Sequence, residues 1–396
     1  MIESKNEYDG LIVFGAGDWW VHNRGHYDMQ FSKKFSATIP VLYVNSTGMR
    51  MPSLLTGDGT FKRIIRKLKS LFKGCVQFET NFYVATPFAI PGRVGYMFTA
   101  WLVPLMIKTW TKRIGIKKPL IWVATPMAYQ WCGLFAQSPV VYQRTDFYEH
   151  FPEVDKEKIK FFDLGMKDKA DIILYCSHYI LNEAKNSVYE KKCRFIDHGV
   201  DYELFKNAGN LVESIDVLSH IKRPIAGFIG ALESDVVNPE LIIQAAKDNP
   251  DITFLLVGKS TFDKNVFAFD NIILTGQVDY SEVPKYMAFC DILLMPWNDN
   301  EWIKACNPIK LKEYLAIGKP IVTTYFPELD YYDDLVHVAA DKYDFSYLIE
   351  KHVANPLNSD KVNLMRNRVY NHTWIQKMLQ VEHELYLLGF EKRNFN

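Results

Sequence analysis

The chain lacks any long uninterrupted hydrophobic run. Its longest, Val94 to Ile107, carries Pro104 and falls short of the roughly 20 apolar residues that span a bilayer, so no transmembrane helix is expected. No C-x-x-C pair is present either. The cysteines stand at 75, 132, 176, 193, 290 and 306, a scatter that fits reduced, mostly buried thiols of a cytosolic protein rather than a disulfide framework. An excess of one charge is missing too: 46 Lys and Arg balance 46 Asp and Glu, so no global field draws the chain to nucleic acid. The first residues, MIESKNEYDG, are polar and lead straight into a strand, which argues against a signal peptide. Repeats of solenoid period and low-complexity tracts are likewise absent.

What is there is a soluble composition of 48% hydrophobic and 23% charged residues over 396 positions, enough for two domains. Short apolar runs rich in Val and Ile alternate with segments of helical pattern. In the first half they are Leu11–Phe14, Val41–Val44, Phe82–Ala85, Leu120–Val123, Val140–Tyr142, Ile172–Tyr175 and Arg194–Ile196. In the second half they are Ile225–Ile229, Thr253–Val257, Ile272–Leu274, Ile292–Met295 and Ile321–Thr323. Continuous apolar strands between helices are the signature of parallel sheets buried on both faces, so two doubly wound α/β domains are expected. The pattern divides the chain into residues 1–205, a linker at 206–223, a second domain at 224–372 and a terminal helix at 373–396 with no strand after it.

Several chemistries find no support. Gly15-Ala16-Gly17-Asp18-Trp19-Trp20 begins like a dinucleotide fingerprint, but Trp20 replaces the third glycine and the second strand ends at Asn45 instead of an acid. Gly258-Lys259-Ser260 lacks the leading glycine of a Walker loop. No H-E-x-x-H, no Asp-x-Asp pair and no G-x-S-x-G elbow occurs, and Gly25 interrupts the His22/His26 spacing, so no metal site is expected.

The turn after the first strand still faces a cleft in such folds. Gly17, Trp19, His22 and Arg24 near it offer stacking and hydrogen-bonding surfaces suited to a sugar or pyrophosphate, although the tryptophans fit a core equally well. Asp146 and Arg144 follow the strand at Val140–Tyr142. There a carboxylate can serve as general base on an acceptor hydroxyl, or simply cap a helix or pair with Arg144. The segment FKRIIRKLKSLFK, Phe61 to Lys73, places apolar residues on one helical face and Lys62, Arg63, Arg66, Lys67 and Lys69 on the rest, without an acid. Such a helix lies in an anionic membrane interface or packs on its own domain with a solvated basic face.

The richest segment is CNPIKLKEYLAIGKPIVTT, Cys306 to Thr324. Asn307 is an N-cap candidate, Pro308 suits the first helical position, Gly318 ends the helix and an apolar strand follows. Lys310 and Glu313, three apart, project near the helix start. A helix N-terminus with a lysine favours an anion, and a carboxylate one turn in can accept hydrogen bonds from a vicinal diol such as ribose. An ordinary surface ion pair would show the same spacing.

This segment resembles the donor-binding segment of GT-B glycosyltransferases, particularly the bacterial group 1 or family four enzymes. GQVDYSEVPKYMAFCDILLMPW resembles the part that precedes it there, CSHYILNEAKNSVYEKKCRFIDHGVDYELF the close of their N-terminal domain, and GFIGAL their first C-terminal strand and glycine turn. The resemblance covers about residues 170 to 330. It implies two Rossmann-like domains facing across a cleft, with a C-terminal helix returning to the N-terminal domain. By it, Glu313, Lys310, Asn307, Pro308, Ile309, Gly230, Ala231 and Lys259 would bind a nucleotide-sugar donor, and the first domain the acceptor. Two positions depart from the family pattern: Ala305 stands where a first glutamate contacts the donor sugar, and Ala231-Leu232-Glu233-Ser234-Asp235 lacks a basic residue for the diphosphate.

The expected protein is a metal-independent glycosyltransferase without cofactor, peripheral on the inner face of the cell membrane. It would move a sugar from a nucleotide donor, UDP-linked rather than GDP-linked, to a lipid-linked or polysaccharide acceptor. A sugar-nucleotide epimerase of the same fold and a catalytically reduced subunit of a glycosyltransferase complex are the alternatives.

Overall fold

The computed structural model describes residues 6–21, 25–46, 73–88, 93–151, 154–210 and 220–393. The basic segment with Lys62, Arg63, Arg66, Lys67 and Lys69 lies outside the described residues, as do His22 and Arg24. The chain forms two compact units, Met1–Asp197 with Lys377–Asn396, and His198–Gln376.

The first unit is built on an eight-stranded sheet in the order β4-β5-β3-β2-β6-β7-β8-β9. Its strands are β2 (Gly10–Phe14), β3 (Val41–Val44), β4 (Cys75–Glu79), β5 (Phe82–Ala85), β6 (Pro119–Val123), β7 (Val140–Arg144), β8 (Ile172–Tyr175) and β9 (Cys193–Phe195). Only β4 runs antiparallel to its neighbour. Because the chain winds outward from β2 in one direction and then restarts at β6 in the other, the strand order reverses between β2 and β6. The helices α1 (Tyr27–Phe35), α2 (Arg93–Ile114), α3 (Lys156–Lys169) and α4 (His178–Ala184) connect these strands.

The second unit repeats the plan with an all-parallel sheet in the order β12-β11-β10-β13-β14-β15. These are β10 (Ile225–Ile229), β11 (Thr253–Val257), β12 (Ile272–Gly276), β13 (Ile292–Met295), β14 (Ile321–Thr324) and β15 (His337–Ala339). Between them run α5 (Tyr202–Lys206), which precedes β10, then α6 (Pro239–Asp248), α7 (Val283–Phe289), α8 (Glu301–Ala305) and α9 (Ile309–Ile317), with α10 (Lys342–Val353) and α11 (Ser359–Val369) after β15.

Successive strand residues point to opposite faces, and each face of this sheet has its own core. Ile229, Leu255, Val257, Leu293 and Met295 pack with Met287 of α7 and Leu311, Tyr314 and Leu315 of α9. Phe228, Phe254, Leu256, Ile292 and Leu294 pack with Leu241 and Ile242 of α6 and Phe345 of α10. Burial on both faces is why these strands read as unbroken apolar runs.

The tail corrects one expectation. Helix α12 (Trp374–Leu387) is followed by a strand, β16 (Phe390–Lys392), which pairs in parallel with β1 (Asn6–Tyr8). The sequence FEK has no apolar run, and its pairing partner lies at the other end of the chain. From Lys377 onward the tail belongs to the first unit. The compact units divide at Asp197/His198 and Gln376/Lys377, against boundaries at 205/206 and 372/373 read from sequence pattern. All six cysteines are free thiols. Among the described residues no helix is long and apolar enough to cross a membrane.

Candidate functional site

In an open doubly wound sheet, ligands bind beyond the carboxyl ends of the strands at the point where the order reverses. In the second unit that point lies between β10 and β13. Two glycines make the floor. Gly230 follows β10 with φ +157° and Gly258 follows β11 with φ +150°, conformations that side-chain-bearing residues rarely adopt. The N–H of Gly230 donates to the Val257 carbonyl at 2.8 Å. A Cβ on Gly258 would stand 1.8 Å from the Gly230 carbonyl oxygen, and one on Gly230 would stand 2.1 Å from Nζ of Lys310. The lysine head therefore rests on the turn after β10.

Helix α9 delivers that lysine. It ends at Gly318, left-handed at φ 80°, whose N–H donates to the Tyr314 carbonyl. Tyr314 fixes the helix to the sheet: its hydroxyl accepts from the Ile229 N–H at 3.2 Å and donates to the Leu294 carbonyl at 3.3 Å. Those two carbonyl-end residues belong to β10 and β13, the strands that flank the reversal. Lys310, four residues before Tyr314, lies with its ammonium 4.3 Å from the centre of the Phe228 ring.

Glu313 is 5% exposed and accepts from the Tyr280 hydroxyl at 3.2 Å. Burial pushes its carboxyl up to about 7, with the Asp201 charge adding to the shift while Tyr280 and Lys310 oppose it. Burial likewise pushes the Lys310 ammonium down to about 8 against the attraction of Glu313. Among the described residues no carboxylate lies within ion-pair distance of the Lys310 head. A buried acid and a half-buried base, each held away from its ordinary range and neither fully matched, are a frequent mark of a ligand site.

The remaining expected donor residues are placed differently. Asn307 does not cap α9. Pro308 holds the cap position without a side-chain bond, and the buried Asn307 amide donates to Glu328 at 3.2 Å instead. The Asn307 side chain is thus held towards Glu328, and the cap position falls one residue on. Ile309 is then the first helical residue, where backbone N–H groups have no intrahelical acceptor. Ala231 is exposed beside Gly230. Lys259 is exposed beyond β11, and its contribution to the floor is its carbonyl, which accepts from the Leu232 N–H at 2.8 Å. Ala305 closes α8 fully buried. The acidic turn Glu233–Asp235 is latched to the loop after β13: the side-chain amides of Asn298 and Asn300 donate to the Ser234 and Asp235 carbonyls, each at 2.8 Å.

In the first unit the Gly15–Gly17 turn sits at the equivalent reversal, between β2 and β6. A Cβ on Gly15 would meet the Tyr43 hydroxyl at 2.1 Å, and Asp28 gathers the Tyr43 hydroxyl and the Ala16 N–H at 2.8 and 2.9 Å. Gly15 thus serves packing. Gly17 is buried and its carbonyl accepts from Ser46. Trp19 is fully buried among Tyr43, Phe78 and Phe82, so it is core and presents no surface to a sugar. Arg144 is 3% exposed and bonds Asp163 at 2.8 Å and Glu149 at 3.1 Å. Those two acids occupy its guanidinium. Asp146, half-buried, lies just past β7.

Sequence reasoning passed over Tyr280, which donates to Glu313, and Asp201, whose charge acts on it. Both stand in the segments that carry the resemblance, so they were present in the pattern without an assigned role.

Residues 223–351 match the family described as glycosyl transferases group 1. A putative teichuronic acid biosynthesis glycosyltransferase of Bacillus subtilis is 30% identical over 241 residues, 57% of this chain. The match spans 60% of that relative's length. Sucrose-phosphate synthase from Thermosynechococcus elongatus superposes with a TM-score of 0.70 at 15% identity, over 96% of this chain and 99% of its own. Anabaena HepE, solved with UDP and glucose, superposes with a TM-score of 0.64 at 16% identity, over 96% of this chain and 100% of its own. At such identities the likeness concerns the fold.

Proposed function

We propose that this chain is a group 1 glycosyltransferase of GT-B fold, a reading supported by the family match over residues 223–351, and that it moves a sugar from a nucleotide donor, UDP-linked, to a lipid-linked or cell-surface polysaccharide acceptor. The observation that carries the donor half is the pairing of Lys310 and Glu313 on one helix, tied by Tyr314 to the two strands that flank the reversal. Glu313 would accept from the ribose hydroxyls. Lys310 and the first N–H groups of α9 would hold the diphosphate and stabilise it as it leaves. Gly230 would let the donor lie close to the backbone. That HepE was solved with UDP and glucose supports the choice of nucleotide.

The acceptor class rests on the B. subtilis relative's description. In this reading Asp146 is the general base, no metal takes part, and the basic segment from Phe61 to Lys73 holds the enzyme on the inner membrane face. Flotation with anionic liposomes tests the last point: recovery unchanged after Lys/Arg→Gln changes there would reject it.

Calorimetry with UDP and GDP tests the donor site. UDP is expected to bind more tightly, and Glu313→Ala to weaken it on the order of tenfold or more, as loss of a buried charged hydrogen-bond partner does. Unchanged affinity would remove Glu313 from the site. The buried Ala305 and the acidic Glu233–Asp235 turn favour one other reading, a subunit that has lost catalysis. Failure of both nucleotides to bind would support it over the first.

A further inference from the structure

Lysine is among the residues least often fully buried, yet Lys312, between Lys310 and Glu313 on α9, has no exposed surface. An apolar side chain would serve packing at such a position at least as well, because a buried charge is seldom retained for stability alone. Its amino group donates to the carbonyl of His198 at 2.5 Å. His198 is the first residue of the second unit.

The segment that follows is held on its other side. Gly199 packs so closely on Trp374 that a Cβ would stand 2.6 Å from the Trp374 Cα. Val200 bridges to Thr373, and its N–H donates to the His372 carbonyl at 2.8 Å. Residues 372–374 precede the chain's second passage between units, at Gln376/Lys377. Asp201, next in line, is near enough to Glu313 to raise its proton affinity. The junction peptide 198–201 is therefore held both by Lys312 of α9 and by residues 372–374.

We infer that Lys312 is a positioning residue that couples occupancy of the nucleotide site on α9 to the peptide joining the two units, through the His198 carbonyl. The inference rests on the donor site proposed above. Nucleotide drawn onto Lys310 and Glu313 fixes the first turn of α9. Lys312 leaves the same turn on another face, so ordering that turn steadies the backbone from which its amino group reaches His198, and with it the Val200 amide two residues on.

Hydrogen exchange at the Val200 amide reads this directly, measured with and without UDP at concentrations that saturate each variant. In the wild type and in Lys312→Arg, which keeps a donor, UDP is expected to slow exchange about tenfold, within the range of ordinary site-to-site couplings. Lys312→Met is expected to bind UDP without that slowing. UDP binding to wild type with no change at Val200 would overturn the inference, and that arm stands even where Lys312→Met does not fold. Slowing retained in Lys312→Met would overturn it as well. No binding of UDP to wild type would instead remove the donor site on which it rests.

Discussion

Lys310 and Glu313 hold their protons away from their ordinary ranges, so a nucleotide bound as proposed would draw on a changed charge state at Glu313. Burial keeps the Glu313 carboxyl protonated up to about pH 7, against 4.5 for an exposed group. Stability from this residue therefore falls as pH rises from 4.5 towards 7, because the unfolded chain ionises first. Lys310 acts in the opposite sense. Its proton leaves the folded chain near pH 8 and the unfolded one near 10.5, so stability rises with pH across that window.

Binding of UDP at this pair calls for an ionised Glu313 to accept from the ribose diol and a protonated Lys310 to meet the diphosphate. Affinity should peak between about 7 and 8 and fall by up to about tenfold per pH unit on either side. Glu313→Gln should flatten the acid limb and Lys310→Met the alkaline limb. The nucleotide's own titration persists in both variants and so separates from the protein's. Calorimetry across this range checks it, and a wild-type profile with the same shape as those of both variants would show that neither group touches the ligand.

At the scale of the element, the two glycines that end β10 and β11 look alike in backbone angle and should behave differently when substituted. The atom facing Gly230 is the far end of the flexible Lys310 side chain, whereas the atom facing Gly258 is the backbone carbonyl of Gly230. Gly230→Ala should displace the lysine and weaken UDP binding more than it weakens the fold. Gly258→Ala has no side chain to push aside and should destabilise the second unit by about 2 kcal/mol or more. Thermal unfolding and UDP titration of both variants check the contrast, and equal losses of stability would reject it.

The strands bearing these glycines were legible in the sequence because burial on both faces leaves an apolar run; Ile225–Ile229 and Thr253–Val257 stand where the pattern puts them. The strands β1, β4, β15 and β16 were not legible. They are short edge or terminal elements with polar residues, and β1 and β16 take their pairing from opposite ends of the chain. The site divides in the same way. Spacing on one helix brings out Lys310 and Glu313, but Tyr280 and Asp201 reach Glu313 only through the tertiary fold, and Lys312 reads as a solvated charge until its burial is seen. Trp19 shows the converse, since its aromatic neighbours come from β3, β4 and β5 and no local pattern could separate core from surface.

Across the whole molecule, the chain passes between its units twice, at Asp197/His198 and at Gln376/Lys377. The residues on the first unit's side of these passages, Asp197 and Lys377, form a buried ion pair, 4% and 7% exposed. Arg194 and Glu384 add a half-buried pair at 2.5 Å between the same two stretches. The tail is thus an integral part of the first unit, and β16 completes it beside β1.

A buried pair of this kind costs much when one partner is removed and little when both are replaced by apolar residues. Lys377→Met should leave the buried Asp197 carboxylate without its lysine and destabilise the first unit by about 3–5 kcal/mol. Asp197→Leu with Lys377→Met should recover most of that loss. The local reporter is the Ile196 amide, which donates to the Tyr175 carbonyl at 3.0 Å beside the pair, because a chain of two units need not unfold in one step. Its exchange should accelerate strongly in the single variant and return towards the wild-type rate in the double. Equal exchange in the single variant and the wild type would mean that the pair does not hold the tail to the first unit, leaving β16 and Glu384 to do so.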